Sequence, residues 1–530
     1  MALSERFQGS TIASALTTRA TTDPGLAYLR YHEDVLAFGQ VEAQAEALAA
    51  ALANLGVVAG DRIALVLPSR PEFVVSLFAA AKLGAVVVPL NPRLTSTELQ
   101  YMLRHSEAAC AITIEQMEGT DYLQLFEELM PLLPDLQYLV TVGEEDLWYD
   151  DRIFQFEDLV SAGAGRDFTA AAVSPDDVFA LVYTSGTSGK PKGVELSHTN
   201  LIAAAAGTAD AFGLTDSDCV VGISALFHVF GLGPGLLSTL LAGASIVLQD
   251  EASANATLDA VERHGATVHY GIPTLFVAEL GSLEAHPRDL STLRLAVVAG
   301  APVTDELIAS VARALDATAV AGYSLTETAS MLSAGRQEDS AEKRRFTVGR
   351  PIAGMQVRIL EEDGSELPVE SVGEIAVRGP GLMLRYYRQP KETSERYDAA
   401  GYFRTGDLGL LDEDGYLHLV GRTKDVIIRS GFNVYPREVE ARIESHPAVQ
   451  EVAAVGITDA LLGEAICACV VPVEGAIVTG HEIVDWCRDT LADDKIPDFV
   501  RFFDELPRTD TGQVRRVDLS RLLHAEGQSA

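Results

Sequence analysis

Basic residues are scarce in this chain. Its 530 residues carry 40 Lys plus Arg against 76 Asp plus Glu, a formal net charge of −36. That balance argues against broad nucleic-acid binding and against docking on an anionic membrane by charge. Any phosphate site must therefore be built locally, from loop amides, a few cations and a metal. Cysteine is rarer still, with five residues, too few for a disulfide framework. Cys467 and Cys469 sit in an apolar run where a strand would point both to one face, and all five read as reduced core thiols of a cytoplasmic protein. No apolar run is long enough to span a membrane: the longest, Phe73 to Leu90, is cut by Lys82 and Gly84 and reads as helix, turn and buried strand. The first twenty residues lack a basic segment followed by an apolar core, so no secretory signal is expected. Internal repeats and low-complexity segments are also missing.

What is present is a composition that is 48% hydrophobic and 22% charged. Such a chain can bury a large core and is not disordered. Its length suggests about three domains, or fewer large ones. The N-terminal half alternates buried strands with amphipathic helices. Arg62 to Leu67, Pro71 to Leu83 and Ala85 to Leu90 form a strand–helix–strand unit, and the alternation returns between Leu240 and Val298. This implies an α/β sheet covered on both faces. After about Gly349 the texture changes to short strands separated by Asp-Gly and Pro-Gly turns, which suggests a small antiparallel or barrel-like unit. From Gly421 a further segment of strands and helices reads as a small α+β domain of about one hundred residues.

The segment with the most chemistry is Tyr183 to Gly193, YTSGTSGKPKG. It holds three glycines, four Ser or Thr and two lysines directly after an apolar strand, Phe179 to Val182. Amides and hydroxyls of a glycine-rich turn can cradle phosphate oxygens, and lysines add charge. It is not a P-loop: only two residues separate Gly186 from Gly189, and Pro191 follows Lys190. Nor is there a dinucleotide fingerprint, since Gly231-Leu232-Gly233-Pro234-Gly235 misses the third glycine. Taken alone, the segment has a flexible surface loop as its alternative reading.

Read with five further segments, it resembles the phosphate loop of the adenylate-forming superfamily, which includes AMP-forming acyl-CoA synthetases. In that family's order, Ala225-Leu226-Phe227-His228 with Gly231 resembles the acyl-site motif. Gly300-Ala301-Pro302 and Gly322-Tyr323-Ser324-Leu325-Thr326-Glu327 resemble the adenine and metal motifs. Tyr402 to Asp407 (YFRTGD) resembles the ribose motif, and Gly421 to Glu440 the hinge and the start of the mobile domain. The resemblance implies a large N-terminal domain, residues 1–421, of layered α/β sheets plus the small barrel-like unit. It implies a mobile α+β domain over residues 422–530, with the hinge near Lys424.

The implied reaction has two halves. A carboxylate attacks the α-phosphorus of ATP to give acyl-AMP and pyrophosphate; a thiol, usually that of CoA, then displaces AMP. The first half gathers anionic groups, so positioning and electrostatics dominate it. By the resemblance, Thr184, Ser185, Gly186, Thr187, Ser188, Lys190 and Lys192 hold the departing phosphates. Glu327, with Thr184, holds magnesium. Gly300, Ala301, Pro302 and Tyr323 form the adenine site, continued by Gly322, Ser324, Leu325 and Thr326. Asp407 and Arg422 take the ribose. His228 lines the carboxylate site and the pantetheine tunnel, and Gly431 is the small residue where that tunnel passes the moved domain. Outside this context, a lone histidine in an apolar run is usually a core residue, and Tyr323 a buried one.

One position departs from the pattern. Family members usually show Pro-(Lys/Arg)-Thr-x-x-Gly-Lys near the end, and here Pro507 to Gln513 reads PRTDTGQ. The lysine that bridges carboxylate and phosphate during adenylation is replaced by Gln513, which donates hydrogen bonds but brings no charge. Losing one preorganised donor costs on the order of 10²–10³ in rate. Gln513 is thus expected to impair the first half-reaction unless another cation serves; an engineered change and a shift to a related reaction also remain open.

Amino-acid-activating relatives place an aspartate just after the acyl-site aromatic. Phe227-His228-Val229-Phe230 has no acid, so a carboxylic acid without an α-amino group is favoured. The apolar run Gly231 to Leu241 and Met331-Leu332 suit an aliphatic or aryl acid. No Ser-bearing carrier segment follows residue 530, so free CoA is the expected acceptor. The expected cofactors are ATP, magnesium and CoA, and any assembly is expected to be a homodimer. The alternatives are AMP-forming activation for a carrier protein or nitrogen group, and a nucleotide- or acyl-binding protein of low turnover.

Overall fold

The computed structural model describes residues 2–527 apart from 146, 148–149, 185–190, 224, 251–252, 302, 430–431, 460–461, 489, 492 and 509–512. The chain divides into two compact units, residues 1–356 with 378–403, and residues 357–377 with 404–530. The division expected from the sequence, at 421/422, falls inside the second unit, where Phe403–Leu411 pairs with Leu417–Arg422.

The first unit holds two large sheets. The nine-stranded one runs in the order Arg350–Pro351, Ser330–Ala334, Thr318–Leu325, Leu295–Val298, Val268–Gly271, Cys219–Val221, Ser245–Leu248, Ala27–Tyr31, Asp34–Ala37. Its central strands are parallel, with Gly271 opposite Val298 and Val298 opposite Ala321. Their C-terminal ends therefore coincide, and in such sheets ligand crevices open at those ends. The eight-stranded sheet runs Arg385–Tyr386, Lys192–Ser197, Val178–Thr184, Val86–Pro89, Arg62–Val66, Ala108–Ile114, Tyr138–Val142, Ile153–Gln155. Sheets covered on both faces need helices that are apolar nearly all round. Pro71–Leu83 is one: proline at its start supplies a preset φ, Gly84 at φ 70° ends it, and its residues from Phe73 to Leu83 are buried.

The second unit has a four-stranded sheet, Gln356–Leu360, Gly373–Arg378, Phe403–Leu411, Leu417–Arg422, which is the small β unit expected after Gly349. A five-stranded sheet follows, in which Val449–Asp459 and Gly463–Pro472 form a long hairpin and Phe499–Phe502 joins parallel. Cys467 and Cys469 fall on one face, packed with Leu506, Leu519 and Leu523. All five cysteines are buried and free. No helix among the described residues is long and apolar enough to cross a membrane.

One ion pair anchors this unit. The Glu440 carboxylate is 3% exposed and accepts from Arg516 Nη2 at 2.6 Å and from the Ala454 N–H at 2.8 Å. Removing the cation alone leaves a buried, uncompensated charge. Arg516→Ala should lower the unfolding free energy of the second unit by about 3–5 kcal/mol, read by urea denaturation. Adding Glu440→Gln should recover part of that loss.

Candidate active site

Strands Val178–Thr184 and Lys192–Ser197 form an antiparallel hairpin in which Thr184 faces Lys192. The glycine-rich turn connects them; Ser185, Gly186, Thr187, Ser188 and Lys190 lie outside the described residues. Helix Ser96–Ser106 braces both feet of the turn. Tyr183 Oη lies 2.7 Å from His105 Nδ1, and the Tyr101 hydroxyl donates to the Pro191 carbonyl at 3.4 Å. Burial, then the Arg388 charge, lowers the His105 pKa. Lys192 is 4% exposed. Its ammonium pairs with Glu392 and sits 5.2 Å from the centre of the Tyr386 ring.

The motif Gly322 to Glu327 runs along one strand, Thr318–Leu325, and turns at Thr326–Thr328 into Ser330–Ala334. The turn packs against the Lys192–Ser197 strand. It is held by the Leu325 N–H donating to Thr328 Oγ1 at 3.3 Å and by the Met383 N–H donating to the Glu327 carbonyl at 2.8 Å. Ala329 and Ser330 take φ values of 53° and 115°, left-handed conformations that cost energy in a residue with a side chain. The Tyr386 hydroxyl donates to Glu327 Oε1 at 2.6 Å. Burial, then the Glu327 charge, pushes the Tyr386 phenol well above its ordinary pKa, so it stays protonated. Among the described residues no hydrogen bond reaches Glu327 Oε2, and no three His, Cys, Asp or Glu side chains converge as a cation cage. One carboxylate oxygen supplemented by hydroxyl and phosphate oxygens is a hard donor set that fits magnesium, which keeps several waters.

The acyl-site residues form a second wall. The Leu226 N–H donates to Ser69 Oγ at 3.1 Å, tying this segment to the loop after Arg62–Val66. His228 Nδ1 accepts from the Phe230 N–H at 3.2 Å, which leaves the hydrogen of a neutral ring on Nε2. The residue is partly buried. Burial lowers its pKa to about 4. Gly231 to Leu237 then winds as a π-helix containing Pro234, and all seven residues are buried. A side chain on Gly231 would stand 2.2 Å from the Ala225 carbonyl oxygen, so glycine is required there. The periodicity of this apolar run did not reveal a π-helix, because its signature is a hydrogen-bond pattern and not a side-chain pattern.

Gly300 and Ala301 follow the C-terminal end of Leu295–Val298, beside Gly322 and Tyr323 on the neighbouring strand. Gly300 has φ 87°, open to glycine without strain. Tyr323 is 7% exposed, and Pro302 lies outside the described residues.

In the second unit, Asp407 and Arg422 face each other across two paired strands, with Arg422 Nε 3.0 Å from Asp407 Oδ1. They pair directly. Lys424 is exposed in a one-turn 3₁₀ helix, Thr423–Asp425, and Gly431 lies outside the described residues. Gln513 is half-buried beside a bridge between Arg508 and Val514. The nearby arginines are engaged: Arg515 pairs with Asp518 at 3.0 Å and Arg516 with Glu440.

Ser69, Tyr386 and Glu392 belong to this architecture and were missed in the sequence. Each is distant in the chain from the group it touches, and only the tertiary fold brings them in. The neutral His228 ring yields a prediction. Across the physiological range it carries no charge to lose, so the pH profile of nucleotide exchange should show no inflection near 6.5 from this residue. His228→Ala should lower the amplitude of that profile and keep its shape above pH 5.

The AMP-binding enzyme family model matches residues 16–387, and the AMP-binding enzyme C-terminal domain model matches residues 438–513. Feruloyl-CoA synthase of an Amycolatopsis species is 35% identical over 510 residues, 95% of this chain and 97% of that protein. The human mitochondrial medium-chain acyl-CoA ligase ACSF2 is 30% identical over 543 residues, 97% and 88% of the two chains. Among solved structures, the o-succinylbenzoate coenzyme A synthetase MenE of Bacillus subtilis, in complex with ATP and magnesium ion, superposes with a TM-score of 0.82. It is 29% identical, with 95% of this chain and 98% of that one covered. Motif order, sheet architecture and these matches agree: the chain belongs to the AMP-binding enzyme family.

Proposed function

We propose that the chain is an AMP-forming acid–CoA ligase acting on an aliphatic or aryl carboxylic acid without an α-amino group. The observation that carries this is the Glu327 turn packed against the strand that leaves the glycine-rich turn, in a chain whose relatives over nearly its whole length are acyl-CoA synthetases and ligases. The absence of an acidic residue from Phe227 to Phe230 and the buried apolar run Gly231–Leu237 that follows support the substrate class.

A substrate carboxylate oxygen attacks the α-phosphorus of ATP. The α–β phosphoanhydride bond breaks, and pyrophosphate leaves with its electron pair. Glu327 would hold a divalent cation, which would supply positive charge against the phosphate oxygens. Thr184 to Lys190 cradle the departing phosphates, and Lys192 contributes from the foot of the turn, where Glu392 holds it. The Gly300-Ala301 backbone and Tyr323 take the adenine. Asp407 takes the ribose hydroxyls, with Arg422 turning from the carboxylate to the sugar. The neutral His228 ring borders the carboxylate and donates from Nε2. In the second half the CoA thiol, losing its proton, attacks the acyl carbonyl, and AMP leaves with the ester oxygen's electron pair. Residues 422–530 swing about Lys424 between the two halves, and Gly431 lets the pantetheine pass. The five reduced thiols support a cytoplasmic setting.

ATP–pyrophosphate exchange across a panel of carboxylic acids tests this reading. Exchange should require an acid of the stated class, and mass spectrometry should find the acyl-CoA only when CoA is added. Exchange with no acid in the panel would overturn it. Gln513→Lys should raise pyrophosphate release at least tenfold, restoring the charge that the glutamine lacks; an unchanged rate would remove Gln513 from the first half-reaction.

A further inference from the structure

The short strand Arg385–Tyr386 serves two partners at once. It pairs with the strand leaving the glycine-rich turn, Tyr386 opposite Val194 and Arg385 opposite Glu195. The pairing is extended by the Leu384 N–H to the Glu195 carbonyl at 2.9 Å and the Tyr387 N–H to the Gly193 carbonyl at 2.7 Å. The same stretch grips Glu327 twice, through the Met383 N–H on its carbonyl and the Tyr386 hydroxyl on its carboxylate. Tyr386 is 2% exposed, so water does not compete for that bond. Its backbone N–H is held by Thr393 Oγ1 at 3.0 Å, and the Lys192 ammonium covers its ring.

Every contact of the ring except one would survive with phenylalanine. The hydroxyl's hydrogen-bond partner is Glu327, and a hydrogen bond to an ionised carboxylate is among the stronger kinds. It ties one oxygen and leaves the other available.

We infer that Tyr386 is a positioning residue for the divalent cation: its hydroxyl orients the Glu327 carboxylate, and its strand fixes that carboxylate relative to the strand Lys192–Ser197. The inference rests on Glu327 being the cation's protein ligand. Partners that orient a metal-binding side chain typically govern affinity by about 10–100-fold.

Manganese serves as the probe, titrated by electron paramagnetic resonance in the presence of ATP, against metal-free ATP affinity measured by calorimetry. Four proteins are compared: the unaltered chain, Glu327→Gln, Tyr386→Phe and the double variant. Phenylalanine keeps the ring beneath Lys192, and an unchanged unfolding midpoint checks the fold. Tyr386→Phe should weaken manganese binding about tenfold while metal-free ATP affinity stays within about twofold. The double variant should bind manganese no more weakly than Glu327→Gln alone. Wild-type manganese affinity in Glu327→Gln would sink the assignment of the ligand itself. Weak binding in Glu327→Gln with wild-type binding in Tyr386→Phe would sink the positioning role alone. An equal loss from Tyr386→Phe with and without Glu327 would show that the hydroxyl acts through the fold, and would also overturn the inference.

Discussion

A polyphosphate can bind a chain of net charge −36 only where the local carboxylates have been neutralised. A bare carboxylate 5 Å from a phosphate would oppose binding by ~3 kcal/mol at an effective dielectric constant of 20. In each unit the acids of the candidate residues are matched. Glu392 is held by Lys192, Glu195 by Arg385 and Glu107 by Arg388 in the first; Asp407 is held by Arg422 and Glu440 by Arg516 in the second. Glu327 is treated differently. Its partner is a phenol, which supplies a hydrogen bond and no positive charge. The phenol sets the direction of the carboxylate without neutralising it. A site for a metal-bound anion in an acidic protein would require this separation of paired acids from one oriented acid left for a cation.

The same logic governs the apolar side. A histidine that stayed charged next to a substrate carboxylate would hold it by ion pairing and oppose transfer of the oxygen to phosphorus. Enclosure of His228 keeps the ring neutral, and its Nδ1 is occupied by the Phe230 N–H. The ring can then offer one hydrogen in one direction. The π-helix that follows makes this affordable in space: glycine at 231 brings the backbone close against Ala225, and the segment stays buried without polar side chains.

Much of this was legible before the structure. The strand–helix–strand units of the first half, the change of texture after Gly349 and the shared face of Cys467 and Cys469 follow from local periodicity, which the chain obeys because its sheets are covered on both faces. The candidate residues were found because they lie in short contiguous motifs. What stayed hidden depends on register between distant segments. Nothing near Lys192 announces Glu392, two hundred positions away, and nothing near Glu327 announces Tyr386. Asp407 and Arg422 were both read as ribose contacts, and their direct pairing appears only once their strands are aligned.

Register also bears on Gln513. The cation absent at that position could in principle be recovered from Arg515 or Arg516, two and three residues later. Arg516 is committed to a carboxylate that would otherwise be buried unpaired, so withdrawing it carries a stability penalty of the same order as the rate it would restore. Arg515 is half-exposed and tied to Asp518 one helical turn on, a weaker commitment. Yet its backbone N–H is fixed to the Pro507 carbonyl at 2.8 Å, which sets where its side chain starts. A glutamine amide therefore does not share its task with a neighbouring charge at no cost.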